Sequence, residues 1–238
     1  MPPCSSELLD NPINRDKVRT IYLSRHGESE NNLFGRIGGD ADLSSRGEQY
    51  ARALGYYINT LPQPCHKVIT SRLHRTQQTA QYVQAQKEIR HEIDEINSGE
   101  HDNMTYEDIA ANFPVEFALR DRDKLNYRYP KGESYMDVVK RLKPMMAELE
   151  LEDNILIISH QATLRCMLTC LLEGNLAELP YLKIPLHTII KLTISDAGVS
   201  MEYHRIPVEC VDTFRPKPEN CEISRNLAAA CQTVPFHL

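Results

Sequence analysis

No tryptophan, no Cys-x-x-Cys pair and no Gly-x-x-x-x-Gly-Lys-Ser/Thr loop occur in the 238-residue chain. No stretch approaches the ~18 apolar residues that a membrane-crossing helix needs. The seven cysteines, at 4, 65, 166, 170, 210, 221 and 231, are odd in number and scattered. That pattern argues against a disulfide framework and predicts reduced thiols in a cytoplasmic protein. The opening Met-Pro-Pro-Cys-Ser-Ser-Glu has no apolar signal region. Proline at position 2 excludes myristoylation, and the closing Pro-Phe-His-Leu is no prenylation box. Nine histidines show no His-Glu-x-x-His or similar ligand spacing, so no metal site is predicted. The net charge of −6 argues against a nucleic-acid or membrane partner. It leaves an anionic small molecule open, because a local cluster of arginines in a cleft overrules the global sign.

What is present alternates strand and helix. Val18–Leu23 reads as a buried strand, and a glycine-containing loop follows from Phe34 to Asp40. Ser45-Arg46-Gly47-Glu48 reads as a capping box opening a helix that buries Tyr50, Ala53, Leu54, Tyr57, Ile58 and Leu61. Cys65–Thr70 is a short strand, and Ser71 is expected to cap a helix running to about Gln86. Residues 87–133 look like a cap or lid of short helices. Ser134 should start a helix to about Glu150 with Val138, Leu142, Met145 and Leu149 inward and a kink at Pro144. Ile155–Ile158 is a wholly apolar strand, a helix follows from Gln161 to Leu172, and Thr188–Ile194 and Ser200–Arg205 close the sheet. The alternation predicts an α/β three-layer α/β/α sandwich with a mainly parallel sheet and an antiparallel edge strand. The expected organisation is a leader over 1–17, one domain over 18–206 and a tail over 207–238.

Two strands end in histidine, at Arg25-His26-Gly27 and at Ser159-His160. Strand ends of a parallel sheet lie on one edge, where ligands bind. A neutral imidazole can act as a nucleophile, and a guanidinium grips phosphate with a planar fork of donors. Arg75, in the first turn of the helix after the strand Cys65–Thr70, is placed as a phosphate clamp; Arg72 is the weaker candidate. The ring of His26 should donate from its other nitrogen to a backbone carbonyl in the turn after it.

These residues together resemble the histidine phosphatase superfamily, with its phosphoglycerate mutase-like fold. Glu95-Ile96-Asn97-Ser98-Gly99, Phe117-Ala118-Leu119-Arg120-Asp121, Tyr127-Arg128-Tyr129-Pro130-Lys131-Gly132-Glu133-Ser134-Tyr135 and Glu178-Leu179-Pro180-Tyr181-Leu182-Lys183 carry a closer resemblance. They are similar to the bisphosphatase half of the bifunctional 6-phosphofructo-2-kinase/fructose-2,6-bisphosphatase family. That family's kinase half has no counterpart here, so phosphatase activity alone is expected.

The resemblance implies hydrolysis of the 2-phosphate of fructose 2,6-bisphosphate through a phosphohistidine on His26. Arg25, Arg75, Asn32 and His160 would hold the transferred group, and Glu95 would be the general acid, with Asp94 and Glu92 as local competitors. Gly38, Tyr106, Arg120, Lys124, Tyr135, Gln161 and Arg165 would contact the sugar phosphate. Arg120, Arg122, Lys124, Arg128 and Lys131 predict a basic lid, with Arg120 and Lys124 one helical turn apart. No cofactor is implied, and a monomer or weak homodimer is expected. The alternatives are a phosphoglycerate mutase or a broader sugar phosphatase of the same fold, or a non-catalytic binding protein that retains it.

Overall fold

A computed structural model describes residues 18–217. The expected leader, the tail beyond residue 217, and Cys4, Cys221 and Cys231 lie outside the described residues. The described cysteines, Cys65, Cys166, Cys170 and Cys210, are in no disulfide. No helix among the described residues is long and apolar enough to cross a membrane.

The sheet is built from β1 (Arg19–Arg25), β2 (Lys67–Thr70), β3 (Gln86–Ile89), β4 (Ile155–Ser159), β5 (Thr188–Ser195) and β6 (Gly198–Arg205), in the order β3-β2-β4-β1-β5-β6. The first four are parallel; β5 runs antiparallel to β1, and β6 antiparallel to β5. The central strand β4 is buried along its whole length, as its continuous apolar run requires. Alternate residues serve opposite faces. Ile21, Leu23, Ile155 and Ile157 pack in one cluster with α6 (Tyr135–Leu149) and α7 (Gln161–Leu171). Tyr22, Leu156 and Ile158 pack in another with α2 (Ser45–Asn59) through Tyr50, Leu54 and Ile58. This is the expected three-layer sandwich.

Several local expectations are corrected. Ser44, not Ser45, caps α2: its hydroxyl accepts from the Gly47 amide at 3.1 Å. The helix after β2, α3 (His74–Ala80), is shorter than expected and is not capped by the Ser71 side chain. Beyond its end the Asn59 amide grips the turn from both sides, donating to Tyr82 O and accepting from Gln84 N. The chain then lays β3 beside β2. Residues 86–89, expected to belong to the helix and the cap, are a polar edge strand. The excursion proper holds two short helices, α4 (Tyr106–Asn112) and α5 (Pro114–Arg122). At α6 the expected cap holds, with Ser134 and Asp137 exchanging hydrogen bonds. That helix continues through Pro144.

The fold brings the loop after β1 against the start of α2. Here two glycines face each other. A Cβ on Gly47 would stand 2.0 Å from the Glu28 carbonyl oxygen, and one on Gly27 would stand 2.6 Å from Gly47 O. We expect Gly47→Ala to destabilise by roughly 1–3 kcal/mol, the cost of overpacking against backbone. Gly174→Ala, whose Cβ would meet nothing nearer than 3.5 Å, should stay within about 0.5 kcal/mol of the parent. Denaturant midpoints at constant m would check both.

Candidate active site

The C-terminal ends of β1, β4 and β2 are neighbours, so His26, His160 and Ser71 meet at one edge. Arg25 pairs in register with Ser159, and the His26 amide donates to Ser159 O at 3.0 Å. The two imidazole centroids are 5.2 Å apart. His26 Nδ1 lies 2.7 Å from Gly27 O. A carbonyl can only accept, so Nδ1 carries the proton and Nε2 is the bare nitrogen. Burial, then Arg75 and Arg25, hold the His26 pKa well below its ordinary 6.5. Removal from water is the larger cause. His160 is lowered in the same way, by burial and then by Arg75 and His26. Its Nε2 meets Ser71 Oγ at 2.8 Å, and its buried Nδ1 has no hydrogen-bond partner.

His26 borders a cleft of about 420 Å³, lined among others by Arg25, Asn32, Gly38, Arg75, Glu95, Tyr106, Arg120, Lys124, Tyr135, Gln161 and Arg165. These are the sequence-expected residues except His160, which is fully buried beside His26 and does not line the cleft. Asn32 Oδ1 is engaged by the Ser29 amide in the cap of α1 (Glu30–Leu33), which leaves its amide N–H group for the cleft. Gly38 has a positive φ of 63°, and a Cβ there would run into Asp102. Arg75 Nη1 donates to Gly39 O at 2.7 Å, while its nearest carboxylate, Asp40, is 3.9 Å away. Arg72, the weaker clamp candidate, turns outward to Asp94.

That ion pair also separates the carboxylates. Asp94 is taken by Arg72 and Glu92 by Arg90, whereas Glu95 lines the cleft. Glu95 Oε1 accepts from the Ala162 amide at 3.1 Å, in the first turn of the helix that follows His160. The strand–helix junction that carries the second histidine therefore also anchors the Glu95 carboxylate.

At the other end of the cleft Arg120 donates to the hydroxyls of Tyr106 and Tyr129, each at 2.7 Å. Arg165 donates to Tyr135 Oη at 2.9 Å and to Leu182 O at 2.7 Å. Lys124 donates to Pro180 O at 3.0 Å. It sits just beyond the end of α5 rather than on the same helix as Arg120, yet both face the cleft. Burial, then Arg165 and Arg120, push the Lys124 pKa well down. The basic lid is smaller than expected. Arg128 binds Asp137 at 2.5 Å, Lys131 pairs with Glu100 at 2.6 Å, and neither lines the cleft.

Three features were missed. One is the carbonyl row at Pro180, Leu182 and Ile184, which holds Lys124, Arg165 and Arg25 in turn. Another is the buried Glu28 carboxylate. It accepts from Ser44 Oγ, from Arg46 Nε and Nη2, and from the Val211 amide. The last is residues 207–217, expected as the start of a separate tail. Val211, Asp212, Thr213 and Arg215 line the cleft. Thr213 Oγ accepts from Arg25 Nη1 at 2.8 Å and donates to Gln161 Oε1 at 3.2 Å. Backbone hydrogen bonds leave no periodic trace, and a proline-rich polar segment gives no signal of its contacts.

Comparison with known proteins agrees with this geometry. A family model described as the histidine phosphatase superfamily, branch 1, matches residues 21–207. The chain belongs to the histidine phosphatase superfamily. It is 52% identical over 219 residues to a 6-phosphofructo-2-kinase/fructose-2,6-bisphosphatase of Aquarana catesbeiana, covering 92% of this chain and 47% of that one. It is 51% identical to the human 6-phosphofructo-2-kinase/fructose-2,6-bisphosphatase 1, covering 92% and 46%. The chain thus spans about half the length of the curated relatives it matches. Among solved structures, an alpha-ribazole phosphatase of Shigella flexneri superposes with a TM-score of 0.71 at 22% identity, covering 81% of this chain and 99% of that one. A mycobacterial glucosyl-3-phosphoglycerate phosphatase superposes at 0.66 with 20% identity, covering 81% and 100%. Such likeness shows a shared fold.

The neutral His26 has a measurable consequence. Its folded pKa is depressed, so its contribution to stability is complete above the unfolded value near 6.5 and is lost as pH falls below it. The loss is about 1.4 kcal/mol per pH unit until the native ring protonates. His26→Asn should flatten the fall of unfolding free energy between about pH 6.5 and 5 by that slope. An unchanged slope in denaturant titrations would mean that the folded ring is already charged.

Proposed function

We propose that this chain hydrolyses the 2-phosphate of fructose 2,6-bisphosphate, giving fructose 6-phosphate and phosphate. The observation that carries the reading is one cleft with two unlike ends. One end holds a neutral, tautomer-fixed histidine between Arg25 and Arg75. The other holds Arg120, Lys124 and Arg165 among tyrosines. Two anionic groups on one small molecule match two cationic ends. The names of the relatives, which include fructose-2,6-bisphosphatase, support the same substrate.

In this reading His26 Nε2 attacks the 2-phosphorus in line, and the bond from phosphorus to the sugar oxygen breaks. Arg25, Arg75, Asn32 and His160 hold the equatorial oxygens and spread their charge. Glu95 gives its proton to the leaving 2-oxygen. Water then attacks the phosphohistidine, Glu95 takes a proton from it, and phosphate departs with the histidine restored. Gly38, Tyr106, Arg120, Lys124, Tyr135, Gln161 and Arg165 bind the sugar and its 6-phosphate. Arginine and histidine carry the charge in this scheme, so turnover should survive a chelator. Thiols rather than disulfides at Cys65, Cys166, Cys170 and Cys210 fit a cytoplasmic setting.

The test is kcat/KM on fructose 2,6-bisphosphate beside 3-phosphoglycerate and a generic aryl phosphate. A strong preference for the bisphosphate is expected; equal turnover of all three would point to a broad phosphatase instead. Glu95→Gln should lower kcat on the bisphosphate about 10²–10⁴-fold, the usual worth of a general acid. Turnover within a few-fold of the parent would remove Glu95 from the chemistry. Arg120→Ala should raise KM more than it lowers kcat, because the remote phosphate serves binding. The opposite split would place it at the reacting centre.

A further inference from the structure

Residues 211–215 run along the cleft and are held at three points. The Val211 amide donates to Glu28 Oε2 at 2.8 Å, and Thr213 bridges Arg25 and Gln161. At the third point the Arg215 guanidinium carbon lies 4.0 Å from the centroid of the Tyr106 ring. Arg120 approaches the same ring at 4.5 Å. Both guanidiniums therefore stand within 4.5 Å of one aromatic ring, and all three side chains line the same cleft.

Arg215 has little else to do with its charge. Its Nη2 is buried and has no hydrogen-bond partner, and the nearest carboxylate oxygen, on Glu107, is 3.8 Å away. Its side chain is only 15% exposed. Burial lowers its pKa, and Arg120 opposes its charge further. A side chain that served only to pin the chain to Tyr106 would gain nothing from standing near Arg120 and Lys124, where like charges repel. An anion between them reverses that repulsion. It also gives the orphaned Nη2 an acceptor, which a buried donor needs.

We propose that Arg215 is a ligand of the substrate's second phosphate, alongside Arg120 and Lys124. It thereby selects sugars carrying two phosphates over simple monoesters. This rests on the cleft being the phosphatase site for a sugar bisphosphate. A cation aimed at the remote group adds binding energy only for substrates that carry that group.

The experiment compares Arg215→Gln and Arg215→Lys with the parent chain, measuring kcat/KM on fructose 2,6-bisphosphate and on p-nitrophenyl phosphate. Arg215→Gln should lower the preference for the bisphosphate about tenfold, chiefly through KM, the worth of one charge-assisted hydrogen bond. Arg215→Lys should recover part of the loss, since it keeps the charge without the fork. An unchanged preference, with both substrates slowed alike, would make Arg215 a structural clip and overturn the proposal. So would a gain in turnover of the bisphosphate, which would mean that the side chain blocks the pocket. The parent chain's own preference is read in the same assay. Its absence would fail the bisphosphatase reading itself, whereas its presence with an unmoved Arg215→Gln fails this proposal alone.

Discussion

The cations of the cleft depend on neutral oxygens for their anchorage, and one short segment supplies three of them. Pro180 O holds Lys124, Leu182 O holds Arg165, and Ile184 O holds Arg25. Tyrosine hydroxyls hold Arg120, and Gly39 O holds Arg75. A carboxylate in any of these places would fix the side chain more firmly but cancel its charge. A carbonyl or phenol orients the donor and leaves the charge in force. The cost falls on the protein, since a buried charge without a counter-ion is destabilising. Burial above all, with Arg165 and Arg75, brings the Arg25 pKa down to about 10 even against the attraction of Glu95. Elsewhere carboxylates do pair with arginine: Arg128, Arg90 and Arg72 are each matched. A chain of net charge −6 thus keeps its unpaired positive charge where an anion can reach it.

The same environment prepares His26 for its proposed role. Guanidiniums at both sides and exclusion from water keep His26 neutral, and the Gly27 carbonyl decides which nitrogen bears the proton. The backbone geometry this requires is fixed from behind. Glu28 joins the loop after β1 to Ser44 and Arg46 at the start of α2 and to the Val211 amide, and the Gly27–Gly47 contact permits the close approach. His187 completes the support. Its Nδ1 donates to Val208 O while Nε2 accepts from the Glu28 amide, so its ring too is a fixed neutral tautomer.

What was legible in the sequence follows from how many neighbours each segment needs to explain it. Ile155–Ser159 is buried on both faces, and its unbroken apolar run announces a central strand whatever surrounds it. Helix α6 is read from its own periodicity and cap. Strand β3 has the residues Gln-Lys-Glu-Ile and lies at an edge, where charge protects an open strand; it looks like helix or loop until β2 is beside it. The site divides in the same way. Strand-end histidines can be inferred from parallel topology alone. Glu95 could be chosen over Asp94 and Glu92 only through resemblance, because what distinguishes them is that Arg72 and Arg90 occupy the other two. The carbonyl row and the segment at 211–215 act through backbone groups or long-range contacts, which residue types do not record.

The two ends of the cleft are physically linked, which bears on how one fold serves many phosphate esters. In the proposed reading the reacting end needs only a phosphoryl group, and its parts come from the sheet edge. The remote end is assembled from α4, α5, α6, α7 and the segment after β6, none of which carries His26. Thr213 is the joint between them, since its single hydroxyl accepts from Arg25 and donates to Gln161. A hydroxyl has one proton, so its donation to Gln161 fixes the oxygen as an acceptor toward Arg25. Reorienting Gln161 toward a sugar would therefore be felt by Arg25 at the reacting phosphate. Replacing the segment at 211–215 would change the remote pocket and the positioning of Arg25 together, without touching His26, Glu95 or the strands that carry them.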